Sequence, residues 1–201
     1  MAFVMTFKLG LTGSIGMGKS TTAQIFAEMG ILVWDADAAV HKLYSTGGAA
    51  VPAIQELYPE VVEHGEVSRP ALKTLIQSNE NVLSEIERIV HPLVAADRQN
   101  FIGTSDSDIV LMDIPLLFET NGDKHMDAIA CVDIDPETQR ERVLQRNTMT
   151  EKQFEQILNK QLPNHVKCSQ SDFVIQTDNL DHAKEQVAHI IELIRKDYIN
   201  A

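Results

Sequence analysis

The sequence predicts an α/β fold of three layers: a five-stranded parallel sheet with helices on both faces. Three observations predict it. Five short apolar runs, Phe7–Leu11, Ile31–Trp34, Asp108–Met112, Ala128–Ile134 and Phe173–Gln176, have the length and composition of strands buried on both faces. Stretches of helical periodicity separate them, as parallel strands require. A glycine-rich turn directly follows the first run and opens a helix. The chain has 201 residues, 44% of them hydrophobic, enough for one such domain with an inserted piece.

The elements follow in order. Met1–Thr6 is apolar but lacks the basic start and long apolar stretch of a signal peptide, and it leads into the first strand. Lys19–Met29 has helical spacing, with Ala23, Phe26, Ala27 and Met29 for an apolar face and Gly30 as its stop. The second strand ends in Trp34-Asp35-Ala36-Asp37, at the start of a helix expected over Ala36–Tyr44, whose helical pattern runs from Ala38. Either aspartate can cap that helix, and either can orient a hydroxyl at the strand end; spacing does not separate them. Further helices are expected over Ala49–Leu57, Arg69–Ser78, Asn81–Val90 and Leu93–Phe101, with His91-Pro92 as a break between the last two. A simple crossover needs one helix. The surplus implies a helical insertion over about 38–105, at the sheet edge where open α/β folds bind ligands.

The third strand ends in Asp113-Ile114-Pro115. A strand-end aspartate suits a carboxylate that assists Mg²⁺, although strands also end in Asp for turn reasons; Glu119 is a weaker candidate. After the fourth strand come Arg140, Arg142 and Arg146, then Thr150-Glu151-Lys152-Gln153 with capping-box spacing, and a helix through Gln161 that Pro163 ends. This helical hairpin, about 141–171, reads as a lid that excludes water. The core then comprises about 1–37, 106–140 and 172–201. The last helix, Leu180–Ile199, carries Ala183, Val187, Ile190, Ile191, Ile194 and Tyr198 at helical spacing and packs on the sheet.

The glycine-rich turn carries the chemistry. Gly13-Ser14-Ile15-Gly16-Met17-Gly18-Lys19-Ser20 completes the G-x-x-x-x-G-K-S/T phosphate-binding pattern in its proper strand–turn–helix context. Glycines let successive N–H groups point inward as an anion nest, and the helix start adds unpaired N–H groups and a positive dipole end. Lys19 supplies a cation for the β- and γ-phosphates, and Ser20 a hydroxyl for Mg²⁺. The ligand is a nucleoside triphosphate.

The net charge of −12 argues against general nucleic-acid or anionic-membrane binding and requires that positive charge be gathered locally, as at Arg140, Arg142 and Arg146. Cys131 and Cys168 make no disulfide scaffold; one falls in an apolar strand and the other in a polar stretch, which fits a reduced, cytoplasmic setting. Seven histidines show no metal-ligand spacing. Three functions use such a loop: a small-molecule kinase, a guanine-nucleotide switch and an assembly ATPase. The switch needs an N-K-x-D segment, and the nearest fragment, Asn159-Lys160-Gln161-Leu162, lacks the aspartate. Compact length, an acceptor-sized insertion and an arginine-rich lid favour the kinase.

Several segments together resemble the dephospho-CoA kinase family. These are Leu11–Thr21 around the loop, Asp35-Ala36-Asp37, His91-Pro92, and Asp113-Ile114-Pro115-Leu116-Leu117-Phe118-Glu119. Pro136-Glu137-Thr138-Gln139 with Arg142 and Arg146, Gln161, and Ser171–Ile175 complete the set, in order along nearly the whole chain. The resemblance implies a P-loop kinase fold and transfer of the ATP γ-phosphoryl group to the 3′-hydroxyl of dephospho-CoA. It implies ATP and Mg²⁺ as cofactors and a small-molecule partner, with no nucleic acid or membrane, in a monomer or weak homo-oligomer. It further implies donor binding by Gly13–Thr21, catalysis by Asp37, Lys19, Arg142 and Arg146, and acceptor contacts from Asp37, His91, Leu116 and Leu117. Ser20 and Asp113 are the implied metal residues. The chain departs from the family at Ser14, usually glycine, at Asn147, commonly Asp, and over Leu162-Pro163-Asn164-His165, where Lys167 keeps a positive charge nearby.

Overall fold

A computed structural model describes residues 6–199. The leading stretch Met1–Met5 and residues 200–201 lie outside it. In chain order, β1 (Phe7–Thr12) leads through the glycine turn to α1 (Lys19–Glu28), β2 (Leu32–Asp35) and α2 (Ala36–Tyr44). Then come α3 (Val51–Leu57), a two-residue hairpin β3 (Val62–Glu63) and β4 (Glu66–Val67), α4 (Arg69–Ser78) and α5 (Glu80–Gly103). The chain continues through β5 (Ile109–Asp113), β6 (Ala128–Asp133), α6 (Pro136–Gln145), α7 (Glu151–Leu158), α8 (Asn164–Ser169), β7 (Phe173–Gln176) and α9 (Leu180–Ile194), which runs into a π-turn over Arg195–Ile199.

Two compact units result. One takes the described residues up to Trp34 and again from Ser105 onward; the other is Asp35–Thr104. In the first, the five strands lie in the order β2-β5-β1-β6-β7. β1 is central, parallel to β5 from Phe7↔Ile109 to Leu11↔Asp113 and to β6 from Leu9↔Ala128 to Thr12↔Cys131; β6 is parallel to β7. The chain leaves β1 toward β2 on one side and later fills β6 and β7 on the other. The carboxyl end of β1 is therefore the switch point where α/β sheets bind ligands. Leu9, Leu11, Phe26, Ile109, Leu111, Val132, Val187 and Ile194 are wholly buried between sheet and helices.

The second unit has its own core, with Ile54 and Val82 wholly buried among Val61, Leu72, Ile86 and Val90. α5 corrects the expected break at His91-Pro92: it is one helix of 24 residues with Pro92 inside. Pro92 has no N–H for the carbonyl four residues back. The register survives because Val82, Ile86 and Val90, one turn apart, pack into this core, with Leu93 and Val94 continuing the same face, while Pro92 itself is exposed. The β3–β4 hairpin, absent from the sequence reading, turns at His64 (φ 52°) and Gly65 (φ 82°). Two successive left-handed residues match the twist of a tight hairpin. In the segment expected as a lid, α7 ends earlier than expected, at Leu158, and Pro163 is the N-cap of α8 instead of a helix stop. The Thr150–Gln153 capping box forms as read.

A buried ion pair ties α8 to the loop after β5. Lys167 is 0% exposed; its Nζ lies 2.8 Å from Glu119 Oε1 and 3.1 Å from the Pro115 carbonyl oxygen. Glu119 Oε1 also accepts the Leu162 N–H at 2.9 Å. Burial pushes the Glu119 carboxyl up, but the Lys167 ammonium and the backbone donors outweigh it and hold the group below its ordinary value. Lys167→Met is expected to lower unfolding free energy by about 3 kcal/mol, because a largely buried carboxylate loses its cation. Lys167→Met/Glu119→Gln should recover part of that loss. A carboxyl depressed in the folded state stabilises above its unfolded value of 4.5, and that stability is lost as pH falls through the folded value. The gap between wild type and Lys167→Met should therefore narrow below pH 4.5 in urea titrations at several pH values.

Candidate nucleotide site

The glycine turn leaves β1 at buried Thr12 and enters α1 at Lys19. Gly16 (φ 83°) and Gly18 (φ 93°) take left-handed backbone conformations. A Cβ at Gly16 would stand 2.5 Å from Val143 Cγ2, so Gly16 is needed for both conformation and space; at Gly18 it would stand 3.0 Å from Thr177 Cβ, a tight approach added to the left-handed conformation. Ser14 is not among the residues with positive φ, which is why a side chain is tolerated there; it is buried.

Side chains from distant segments hold the turn from outside. The Ser14 N–H donates to Asn164 Oδ1 at 2.9 Å, and the Ile15 N–H donates to Gln161 Oε1 at 3.1 Å. Gln139 Nε2 donates to the Ile15 carbonyl at 2.6 Å, and Thr177 Oγ1 donates to the Met17 carbonyl at 2.9 Å. Asn164 is itself fixed by donating Nδ2 to the Val132 carbonyl (3.1 Å) and to Asp133 Oδ1 (2.8 Å). With its first amides thus engaged, the turn presents the remaining N–H groups at the start of α1. The first-turn amides of a helix have no acceptor within it, and Gly18 at the N-cap has no side chain to cap them.

Lys19 Nζ lies 2.5 Å from Asp113 Oδ1. Asp113 ends β5, is buried, and pairs in register with Leu11 at the end of β1. The strand-end acid of the sequence reading therefore stands beside the loop lysine. Ser20 and Thr21 are exposed on the first turn of α1.

The three arginines separate. Arg140 pairs with Glu151 of α7 on the surface. Arg142 donates from Nη1 to Thr177 Oγ1 (3.1 Å) and from Nη2 to the Thr177 carbonyl (2.7 Å). Arg142 and exposed Arg146 line a cavity of about 400 Å³ together with Gly18, Thr21, Thr177 and Asn179. Asn147, directly after Arg146, has φ 52° and so supplies the left-handed residue that ends α6. The expected concentration of three positive charges is thus two, with Arg140 diverted to α7.

In the other unit, Asp35 is the N-cap of α2 and its Oδ1 accepts the Ala38 N–H at 2.9 Å. Asp37 lies exposed in the first turn of the same helix, and His91 is exposed within α5. After β5, Leu116 is 42% exposed, whereas Leu117 is wholly buried and packs toward Gly10 and Gly122. Of these two leucines only Leu116 has surface to offer a ligand. Gln139, Asn164 and Thr177 were not singled out by sequence reasoning for the loop. They reach it across 124, 150 and 160 residues, and no local spacing announces such contacts.

Known proteins resemble this chain along nearly its whole length. The family model described as dephospho-CoA kinase matches residues 7–182. The dephospho-CoA kinase of Ruegeria pomeroyi is 59% identical over 98% of this chain and all of its own length. That of Cereibacter sphaeroides is 50% identical over 94% of this chain and 96% of its own. Among solved structures, a protein from Thermus thermophilus superposes with a TM-score of 0.84 at 26% identity, covering 93% of this chain and 96% of that one. A dephospho-CoA kinase from Campylobacter jejuni, at 20% identity over 94% and 97% of the two chains, shares the fold with a TM-score of 0.71. The chain belongs to the dephospho-CoA kinase family.

Proposed function

We infer that this chain transfers the γ-phosphoryl group of ATP to the 3′-hydroxyl of the ribose of dephospho-CoA, the step that completes coenzyme A. One observation carries the reading: the family match runs unbroken through the phosphate loop, the helical insertion and the lid. The acceptor-binding region is assigned to about 38–105 and the lid to about 141–171. The setting is cytoplasmic and the protein a monomer or weak homo-oligomer. Among the described residues no helix is long and apolar enough to cross a membrane.

The donor is held by the first-turn amides of α1 and by Lys19, which exchanges Asp113 for the phosphates. Arg142, anchored on Thr177, and Arg146 set positive charge beside the donor and offset the charge that develops on the transferring group. Asp37 orients the acceptor hydroxyl and receives its proton, while Asp35 is occupied as a helix cap. His91 and Leu116 contact the acceptor, and buried Leu117 supports the loop beneath Leu116.

Mg²⁺ fits the residues present. Among the described residues no group of three or more His, Cys, Asp or Glu is arranged to hold a metal by itself. Mg²⁺ is ordinarily held by one or two protein oxygens with phosphates and waters completing the shell, and the Ser20 hydroxyl and Asp113 carboxylate are such a pair. When bound, the ion would neutralise charge on the phosphate oxygens.

Two outcomes test this reading. Purified protein with ATP and Mg²⁺ should convert dephospho-CoA to CoA, resolved by chromatography, and should phosphorylate AMP poorly. Equal rates on AMP would remove the acceptor assignment and leave a kinase. Asp37→Asn should lower kcat on the order of 10²-fold or more with ATP affinity nearly unchanged. If its kcat matches wild type, the role passes to Asp35.

A further inference from the structure

Cys131 and Cys168 are 37 residues apart in sequence, yet their sulfurs lie 3.4 Å apart. Cys131 sits in β6, wholly buried, in register with Thr12 of β1. Cys168 is in the last turn of α8 and partly exposed. Asn164, one turn earlier on α8, touches both: its Nδ2 is 3.6 Å from Cys168 Sγ and its Oδ1 is 4.0 Å from Cys131 Sγ. That same Oδ1 accepts the Ser14 N–H of the phosphate loop. The thiol pair is therefore one side chain away from the loop.

The two sulfurs differ in character. Its hydrogen-bonded contact with Cys131 holds the Cys168 thiol below its ordinary pKa, against the opposing effect of burial. The same bond, together with burial, pushes the Cys131 thiol far up. The accessible sulfur is thus the nucleophile and the buried one its reserve, the arrangement of a sulfur pair that senses oxidants.

We propose that Cys131 and Cys168 form a redox modification site at which a hydroperoxide converts the dithiol to a disulfide that loosens the phosphate loop through Asn164. Cys168 sulfur attacks the peroxide; its S–O bond forms as the O–O bond breaks, giving a sulfenic acid and an alcohol, or water from hydrogen peroxide. Cys131 sulfur then attacks Cys168 sulfur. The S–S bond forms, the S–O bond breaks, and the hydroxyl leaves as water with the Cys131 proton. The thiols together lose two electrons and the peroxide gains them. A disulfide has sulfurs about 2.05 Å apart, so the pair must close by more than about 1 Å. Asn164 rides on α8 with Cys168, and hydrogen bonds of 2.8–3.1 Å tolerate only small displacement. A dithiol reductant reverses the reaction by exchange.

The inference rests on the loop's role in holding ATP and on no feature of the acceptor. Hydrogen peroxide is added to the purified chain, and intact mass, the cross-linked peptide after proteolysis, and ATP affinity by calorimetry are measured. The expected result is a mass lower by two hydrogens, a Cys131–Cys168 peptide, and ATP affinity reduced about fivefold or more, restored by dithiothreitol. Cys168→Ser should bind ATP as the reduced chain does and lose no affinity on treatment. Added oxygen with no loss of two hydrogens overturns the proposal. So does a disulfide that leaves ATP affinity unchanged, or an equal loss of affinity in Cys168→Ser. Because no acceptor is present, failure of the dephospho-CoA assignment would leave these readouts standing.

Discussion

The backbone between Gly13 and Ser20 can bind phosphate only if the amides at the start of α1 are already presented before the ligand arrives. A loop that had to be ordered on binding would spend affinity on its own conformational entropy. Two devices avoid that loss. Left-handed geometry at Gly16 and Gly18 sets the path, and Gln139, Gln161, Asn164 and Thr177 grip its outer side. All four grips come from segments after β6. They can reach the turn because β1 is central and β6 lies directly beside it. Sheet order is thus a condition of the site as well as of the core.

Positive charge is distributed by the same logic. A chain with net charge −12 repels a polyanion at long range and must attract it at short range. Lys19 comes from the start of α1, Arg142 from the last turn of α6 and Arg146 from its C-cap. Arg142 is fixed by two bonds to Thr177, the residue that also holds the Met17 carbonyl. One threonine thereby aligns an arginine and the loop on a common support.

Much of the fold is legible in the sequence because its signals are local. The five strands are continuous apolar runs, and their ends fall within one or two residues of the expected positions. The loop motif, the capping box and the apolar stripe of α9 are written in consecutive residues. What escapes is decided by tertiary contact. Pro92 breaks helices in isolation, yet the face formed by Val82, Ile86 and Val90 carries α5 through it. His64-Gly65 is a weak turn signal without the strands on either side. Leu116 and Leu117 are indistinguishable in sequence, and only packing sends one outward and the other into the core. Asp35 and Asp37 are equivalent by spacing until the bond to the Ala38 N–H identifies the cap. The residues that grip the loop are the least legible, since a hydrogen bond across 150 residues leaves no periodicity.

The ion pair of Lys19 with Asp113 has a thermodynamic consequence. A triphosphate that draws the lysine toward itself takes positive charge away from a buried carboxylate, and weakening the charge balance around a buried acid is costly. On the proposal that Mg²⁺ binds at Asp113, a divalent cation arriving there would relieve the cost. Nucleotide and metal affinities are then linked. Each ligand raises the affinity for the other by the same factor, because both draw on a single coupling free energy. The metal-free nucleotide and the nucleotide-free metal are each disfavoured relative to the pair. A site built this way would select the complex over either component, and the selectivity would reside in one buried carboxylate.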